Sequence, residues 1–186
     1  KNKLGAKSAA AFDLNSACTS WLYGLISATD MIKAGTIKRA VIIGSERISV
    51  AMDWKKRESC FLFGDGAGAV VIEASENPTG LLRAKMSCVP DSRECLRLPD
   101  WGLSPKHFTG GLNISLDFDG AVIFKKAVKG MSDAIDDVLQ AEGLSAEDID
   151  LFVPHQANLR IIEALAKRLN FPMDKVVVCI DKYANT

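Results

Sequence analysis

Apolar residues recur along this chain in two ways, with a helical period and in unbroken runs. At positions 21, 22, 25, 26, 28, 31 and 32 they fall on one wide helical face, and Gly35 stands where such a helix would stop. A second amphipathic face runs through residues 121–142 and is closed by Gly143, and a third spans Asn158 to Leu169. Ser145 and Asp148 have the spacing of a cap on a short turn. RAVIIGSE (39–46) is a continuous apolar run, the pattern of a buried strand. FLFGDGAGAVVIEAS (61–75) reads as a glycine-punctuated turn followed by a strand. TGLLRAKMSCV (79–89), IDLFVPH (149–155) and residues 175–180 read as further strands, and SAAAFD (8–13) as a short extended piece. Residues 90–113 are rich in Pro, Gly, Ser and Asp and lack periodicity, which predicts a long loop, functional or mobile in most compact domains.

Helix followed by covered strand predicts α/β layering. The order strand, polar turn, amphipathic helix, apolar strand occurs around Cys18 and again around His155. That echo predicts two related halves joined near residues 76–90, the first in 1–78 and the second in 79–186.

Composition narrows the function. Hydrophobic residues make up 48% and charged residues 25% of 186, enough for a real core. Lys+Arg and Asp+Glu are both 23, so no net field recruits nucleic acid or an anionic membrane. No apolar run reaches the ~20 residues of a spanning helix, and no signal-peptide pattern opens the chain. Five cysteines, an odd number without CxxC spacing, argue against a metal or disulfide framework and for an intracellular, cytoplasmic protein. The sequence begins without Met and stops at Asn185-Thr186, which reads as part of a longer enzyme.

Three groups carry candidate chemistry. Cys18, in DLNSACTSW, falls at the first turn of a largely buried helix. There the backbone N–H groups and helix dipole favour a thiolate and can stabilise an acyl oxyanion. A structural cysteine is the competing reading. His155, in VPHQANLR, sits just past a strand end, where α/β folds place ligand-facing groups. Gln156 and Asn158 add amides beside it. His107 lies in the irregular stretch and reads as a solvated surface residue. Asn185, in KYANT, gains meaning only beside His155. The glycines of GDGAGA (64–69) lack GxGxxG spacing and precede a strand, so they predict tight backbone packing, not phosphate binding. Arg160, Lys167 and Arg168, with Lys125, Lys126 and Lys129, form either two solvated helix faces or a docking surface for an acidic partner.

Taken together, DLNSACTSWLYGL, RESCFLFGDGAGAVVIEAS, VPHQANLRI and DKYANT resemble β-ketoacyl-acyl carrier protein synthase III, the initiating condensing enzyme of type II fatty acid synthesis. The resemblance implies a thiolase-like fold, two similar α/β halves in an αβαβα sandwich, incomplete here, and a homodimer. It implies that Cys18 takes the acyl primer from acyl-CoA, while His155 and Asn185 stabilise the enolate formed when malonyl-acyl carrier protein loses CO2. Coenzyme A thioester and carrier-protein phosphopantetheine are then substrates, and no cofactor is needed. Further roles implied are CoA adenine contact for Arg57, pocket lining for Gly120 and Phe124, and malonyl-site assistance for Asn158. Carrier-protein docking falls to Gln156, Ala157, Asn158, Leu159 and Arg160, with Lys125 and Lys167. Three positions depart from the family pattern. Ala184 replaces a frequent glycine, Glu58 a small residue, and Trp21 places a bulky ring one turn after Cys18 that would narrow the acyl pocket. The family extends beyond both ends of the chain, with CoA contacts before it and an oxyanion-completing glycine loop after it. Related condensing enzymes of secondary metabolism, a non-catalytic thiolase-fold partner subunit and a Cys–His–Asn hydrolase are the alternatives.

Overall fold

The computed structural model describes residues 2–57, 59–77, 79–90, 95–97 and 117–186. The chain divides into two compact units, Lys1–Gly44 with Ala69–Leu81, and Ser45–Gly68 with Leu82–Thr186. Strands β1 (Arg39–Arg47) and β2 (Asp65–Glu73) pair in a two-stranded sheet.

In the first unit, helix α1 (Ser20–Lys33) follows a single 3-10 turn at Ala17–Thr19. It ends as its sequence predicts. Gly35 takes φ 74°, and its N–H donates to the Ile32 carbonyl at 2.9 Å. Small residues let helix and strand approach. A Cβ on Gly24 would lie 3.4 Å from Ile42 Cγ2, and one on Gly44 would lie 3.3 Å from the Trp21 ring. The expected burial is not reached. Ala28 is the buried residue of α1, and Ile42 that of β1, while Val41 and Ile43 remain 54% and 58% exposed. A continuous apolar run fits a strand covered on both faces, whereas this sheet has two strands and leaves those side chains open. Residues 9–16 form neither helix nor strand.

The second unit is organised by two helices. Helix α2 (Gly120–Glu142) starts at Asp119, whose carboxylate accepts the Val122 N–H at 3.2 Å, and ends at Gly143 with φ 67°. The next helix, α3 (Leu159–Leu169), is capped by Asn158 and closed by left-handed Asn170. It buries Ile161, Ile162, Leu165, Ala166 and Leu169 against Phe152, Phe171 and Val176, with Phe124, Val128 and Met131 of α2 packed alongside. Ile162 and Leu165 are fully buried, each stabilising the fold by about 1.5–3 kcal/mol. Phe152 and Phe171 stack with centroids 4.8 Å apart. The predicted capping box is present, with Asp148 accepting the Ser145 N–H at 2.8 Å and hydroxyl at 2.7 Å.

Several predicted strands are absent. Residues 79–90 join no ladder; Arg83 instead pairs with Glu142 at 2.6 Å and Lys85 with Asp137, both on α2. Segments 149–155 and 175–180 meet in one parallel bridge, Phe152 with Val176. After the segment read as strand, Ile180–Tyr183 forms a short helix, α4. The glycines after Phe63 lie partly inside β2 rather than wholly before it. Two short strands, β3 (Leu96–Arg97) and β4 (Asp117–Phe118), pair antiparallel with Leu96 opposite Phe118. The predicted 90–113 loop falls largely outside the described residues, as do His107 and Glu58.

Candidate active site

Cys18 is exposed in the 3-10 turn that opens directly into α1. The turn is tied by its own polar residues. The Ala17 N–H donates to Asn15 Oδ1 at 3.0 Å, and the Ser16 N–H to Ser20 Oγ at 2.7 Å. Ser20 Oγ donates to the Ala17 carbonyl at 2.6 Å and Thr19 Oγ1 to the Ser16 carbonyl at 2.8 Å. These bonds hold Ala17 at φ 49°, a left-handed conformation uncommon for a non-glycine residue and frequent at functional turns. Thr19, the N-cap of α1, makes no side-chain capping bond, and the Ser20 N–H donates to the Ala17 carbonyl. The placement is therefore just ahead of the helix, where the sequence put it in the first turn.

His155 and Asn185 belong to the second unit. His155 is half-buried behind buried Pro154, and that burial lowers its pKa from the ordinary 6.5. It is held neutral at pH 7, with one N–H to donate and one nitrogen to accept. Asn185 is fixed through its backbone. Its N–H donates to the Leu62 carbonyl and its carbonyl accepts the Gly64 N–H, both at 3.0 Å, in a parallel bridge with Phe63. Side-chain-free backbone is required there. A Cβ on Gly64 would lie 2.5 Å from the Tyr183 carbonyl oxygen and 2.7 Å from Thr186 Oγ1, and one on Gly66 would lie 2.5 Å from Thr186 Cγ2. GDGAGA is thus a bed for the asparagine turn, the packing role read from sequence. Ala184 pays for this close fit: at φ 54°, ψ −157° it occupies a region that is essentially glycine-only.

Residues next to both turns, though neither His155 nor Asn185 itself, line one open space. Ala157, Asn158 and Leu159, Ile180 and Ala184, and Phe61 and Leu62 line it, with a volume of about 210 Å³. Asn158 also caps α3, its Oδ1 accepting the Arg160 N–H at 2.9 Å. Sequence reasoning missed Leu62 and Phe63 as partners of Asn185; the apolar pair directly before GDGAGA was the available signal.

The remaining candidates are dispersed. Arg57 is exposed in an irregular segment. Gly120 is the first residue of α2, and Phe124 packs against the α3 core. Leu159, Arg160, Lys125 and Lys167 are exposed, while Lys129 and Arg168 both pair with Asp133. Among the described residues no group of three or more His, Cys, Asp or Glu could hold a metal ion, and no helix is long and apolar enough to cross a membrane.

Comparison with known proteins gives these turns a context. Residues 12–90 match the family model 3-Oxoacyl-[acyl-carrier-protein (ACP)] synthase III, and residues 139–186 match that of its C terminal part. The chain belongs to this family. It is 46% identical to the Vibrio cholerae beta-ketoacyl-[acyl-carrier-protein] synthase III 2, over 100% of this chain and 52% of that protein. A Clostridium acetobutylicum synthase III is 42% identical over 100% of this chain and 58% of its own length. The crystal structure of the Aquifex aeolicus synthase III superposes with a TM-score of 0.89 at 39% identity, covering 100% of this chain and 56% of that one. The α/β fold is thus that of the synthase III enzymes, thiolase-like as the resemblance implied. This synthase III chain spans about half the length of the curated relatives it matches.

Proposed function

We propose that the protein carrying this chain catalyses decarboxylative Claisen condensation of an acyl-CoA primer with malonyl-acyl carrier protein, giving a 3-oxoacyl-acyl carrier protein at the start of fatty acid synthesis. The observation that carries this reading is an exposed thiol on a strained turn at the head of α1, in a chain of the synthase III family. The Cys18 thiolate attacks the acyl-CoA carbonyl and expels CoA thiolate, leaving an acyl thioester. Malonyl thioester then loses CO2, and the electron pair moves onto the thioester oxygen as an enolate. Two neutral donors, the His155 N–H and the Asn185 amide, suit that charge in a dry pocket. The carbanion attacks the Cys18 acyl carbon, and the cysteine leaves as thiolate.

In this reading residues 1–78 and 79–186 contribute to the two thiolase-like halves. Arg57 contacts the CoA adenine, Gly120 and Phe124 line the pocket, and Asn158 assists at the malonyl site. Exposed Arg160, Lys125 and Lys167, with Ala157, Asn158 and Leu159, receive the acidic carrier protein; Gln156, first grouped with them, drops out of the docking set because its side-chain amide is engaged within the fold. The enzyme works as a cytoplasmic homodimer without metal or cofactor.

Incubating the full-length protein with labelled acyl-CoA, followed by mass spectrometry, tests the reading. A persistent acyl adduct on Cys18, lost in Cys18→Ser, is expected. No adduct at all sinks it in favour of a binding subunit, and rapid release of free acid points to a hydrolase. His155→Ala should reduce malonyl decarboxylation by roughly 100- to 1000-fold, the usual loss of one oxyanion donor, while the Cys18 adduct still forms.

A further inference from the structure

The parallel bridge between Phe152 and Val176 sets a register that its neighbours cannot continue. The Phe152 N–H donates to the Lys175 carbonyl at 2.8 Å, and the Val177 N–H donates to the Phe152 carbonyl at 2.9 Å. In a parallel ladder the next two bonds would run from the N–H of residue 154 to the Val177 carbonyl, and from the Cys179 N–H to the carbonyl of residue 154. Residue 154 is proline, which has no N–H. The Gln156 side chain occupies this gap. Its Nε2 donates to the Val177 carbonyl and to the Pro154 carbonyl, each at 3.0 Å, and its Oε1 accepts the Cys179 N–H at 2.9 Å. Two carbonyls and one backbone N–H around a single amide fix which end is oxygen and which is nitrogen.

We propose that Gln156 is a positioning residue: its side-chain amide replaces the peptide group that Pro154 withholds, and so fixes His155 relative to the segment leading into Asn185. His155 lies between Pro154 and Gln156, so its backbone is held on both sides by this splice. Residues 177–179 run directly into α4 and then to Asn185. One amide therefore sets the approach of both enolate-stabilising groups, which rests on the condensing-enzyme reading above. Both Nε2 hydrogens are directed inward, which leaves Gln156 no donor for a docked partner. Glutamate has the same shape but would face two carbonyl oxygens with a carboxylate.

The test compares Gln156→Ala with the double variant Pro154→Ala/Gln156→Ala in the full-length protein. The double variant regains a backbone N–H at 154, with which the ladder can close without glutamine. Gln156→Ala should lower the decarboxylation kcat by about 10- to 100-fold, the cost of a misplaced catalytic group, with unchanged KM for the carrier protein and unchanged acylation of Cys18. The double variant should recover most of that loss. In parallel, the Cys179 amide should exchange faster with solvent in Gln156→Ala and slow again in the double variant. A raised carrier-protein KM with normal kcat would identify a docking contact and overturn the proposal. So would a double variant no better than the single one, in rate, in Cys179 exchange or, where Gln156→Ala does not fold, in folding. The exchange readout is independent of activity. A wild type without decarboxylation but with the predicted Cys179 pattern removes the enzymatic reading and keeps the splice.

Discussion

Asn15, Ser16, Ala17, Thr19 and Ser20 shape the Cys18 turn by bonding to one another, across no more than four residues. The His155 and Asn185 turns depend on distant chain instead. Gln156 reaches 21 and 23 residues ahead, and Asn185 is bridged to Phe63. Both designs hold an alanine at positive φ directly before a candidate site residue, Ala17 before Cys18 and Ala184 before Asn185. The difference lies in what enforces the strain: hydroxyl and amide side chains in the first case, tertiary backbone pairing in the second. A locally enforced turn tolerates change elsewhere in the fold, whereas a tertiary one fails when its remote partner changes.

The sharpest way to break the contrast is at Gly64. Gly64→Ala forces a methyl against the Tyr183 carbonyl and should destabilise the protein by about 1–3 kcal/mol, with loss of malonyl decarboxylation and retention of Cys18 acylation. Gly68→Ala, in the strand that begins directly after Gly64 but with nothing within 4 Å of the added carbon, should be neutral or slightly stabilising in the same denaturation experiment. Equal effects at both positions would refute the bed described here.

A smaller effect separates the two alanines. Ala184→Gly relieves a glycine-only conformation whose cost is on the order of 1–3 kcal/mol, offset by about 0.5–1 kcal/mol of backbone entropy. It should raise the denaturation midpoint. At Ala17, φ 49° costs an alanine only roughly 1–2 kcal/mol, so Ala17→Gly should change stability less. The reverse ranking would show that strain is concentrated at the thiol turn.

The smallest effect is on pH. His155 is depressed in the folded state by burial, so on acidification the unfolded chain takes up the proton first. Its contribution is complete above about pH 6.5 and falls as pH drops below that value. Asp65, Asp133 and Asp148 are held below 3.8 by hydrogen bonds from Ser49, Lys129 and Ser145, so theirs is lost only in stronger acid. A denaturation midpoint that declines between pH 6.5 and 5 in the wild type but not in His155→Gln is the expected result.

What the sequence made legible follows the same division. Helices α1, α2 and α3 announce themselves by period, the first two also by their stops at Gly35 and Gly143, because those signals act within a few residues. The Cys18, His155 and Asn185 segments were recognisable from residue type and order. The strands expected at 79–89, 149–155 and 175–180 were not formed. A short apolar run becomes a strand only if a partner continues alongside it, and Pro154 stops that continuation after one bridge. The cradle under Asn185 was readable as glycine packing, but its partner lies 121 residues further on from Gly64 (185 − 64) and no local pattern names it.

The bridge of Leu62–Gly64 to Asn185 also sets an order of assembly. Closing a loop that long carries an entropic cost that local turns do not, and distant contacts form late. The thiol turn and α1 can acquire native structure while most of the chain is still unstructured, but the asparagine cannot be seated until its own residues exist and fold back. The Cys18 turn would therefore be shaped before the Asn185 turn is seated. Pulse-labelled hydrogen exchange should find α1 amides protected ahead of the Asn185 amide, and the opposite order would exclude this sequence of events.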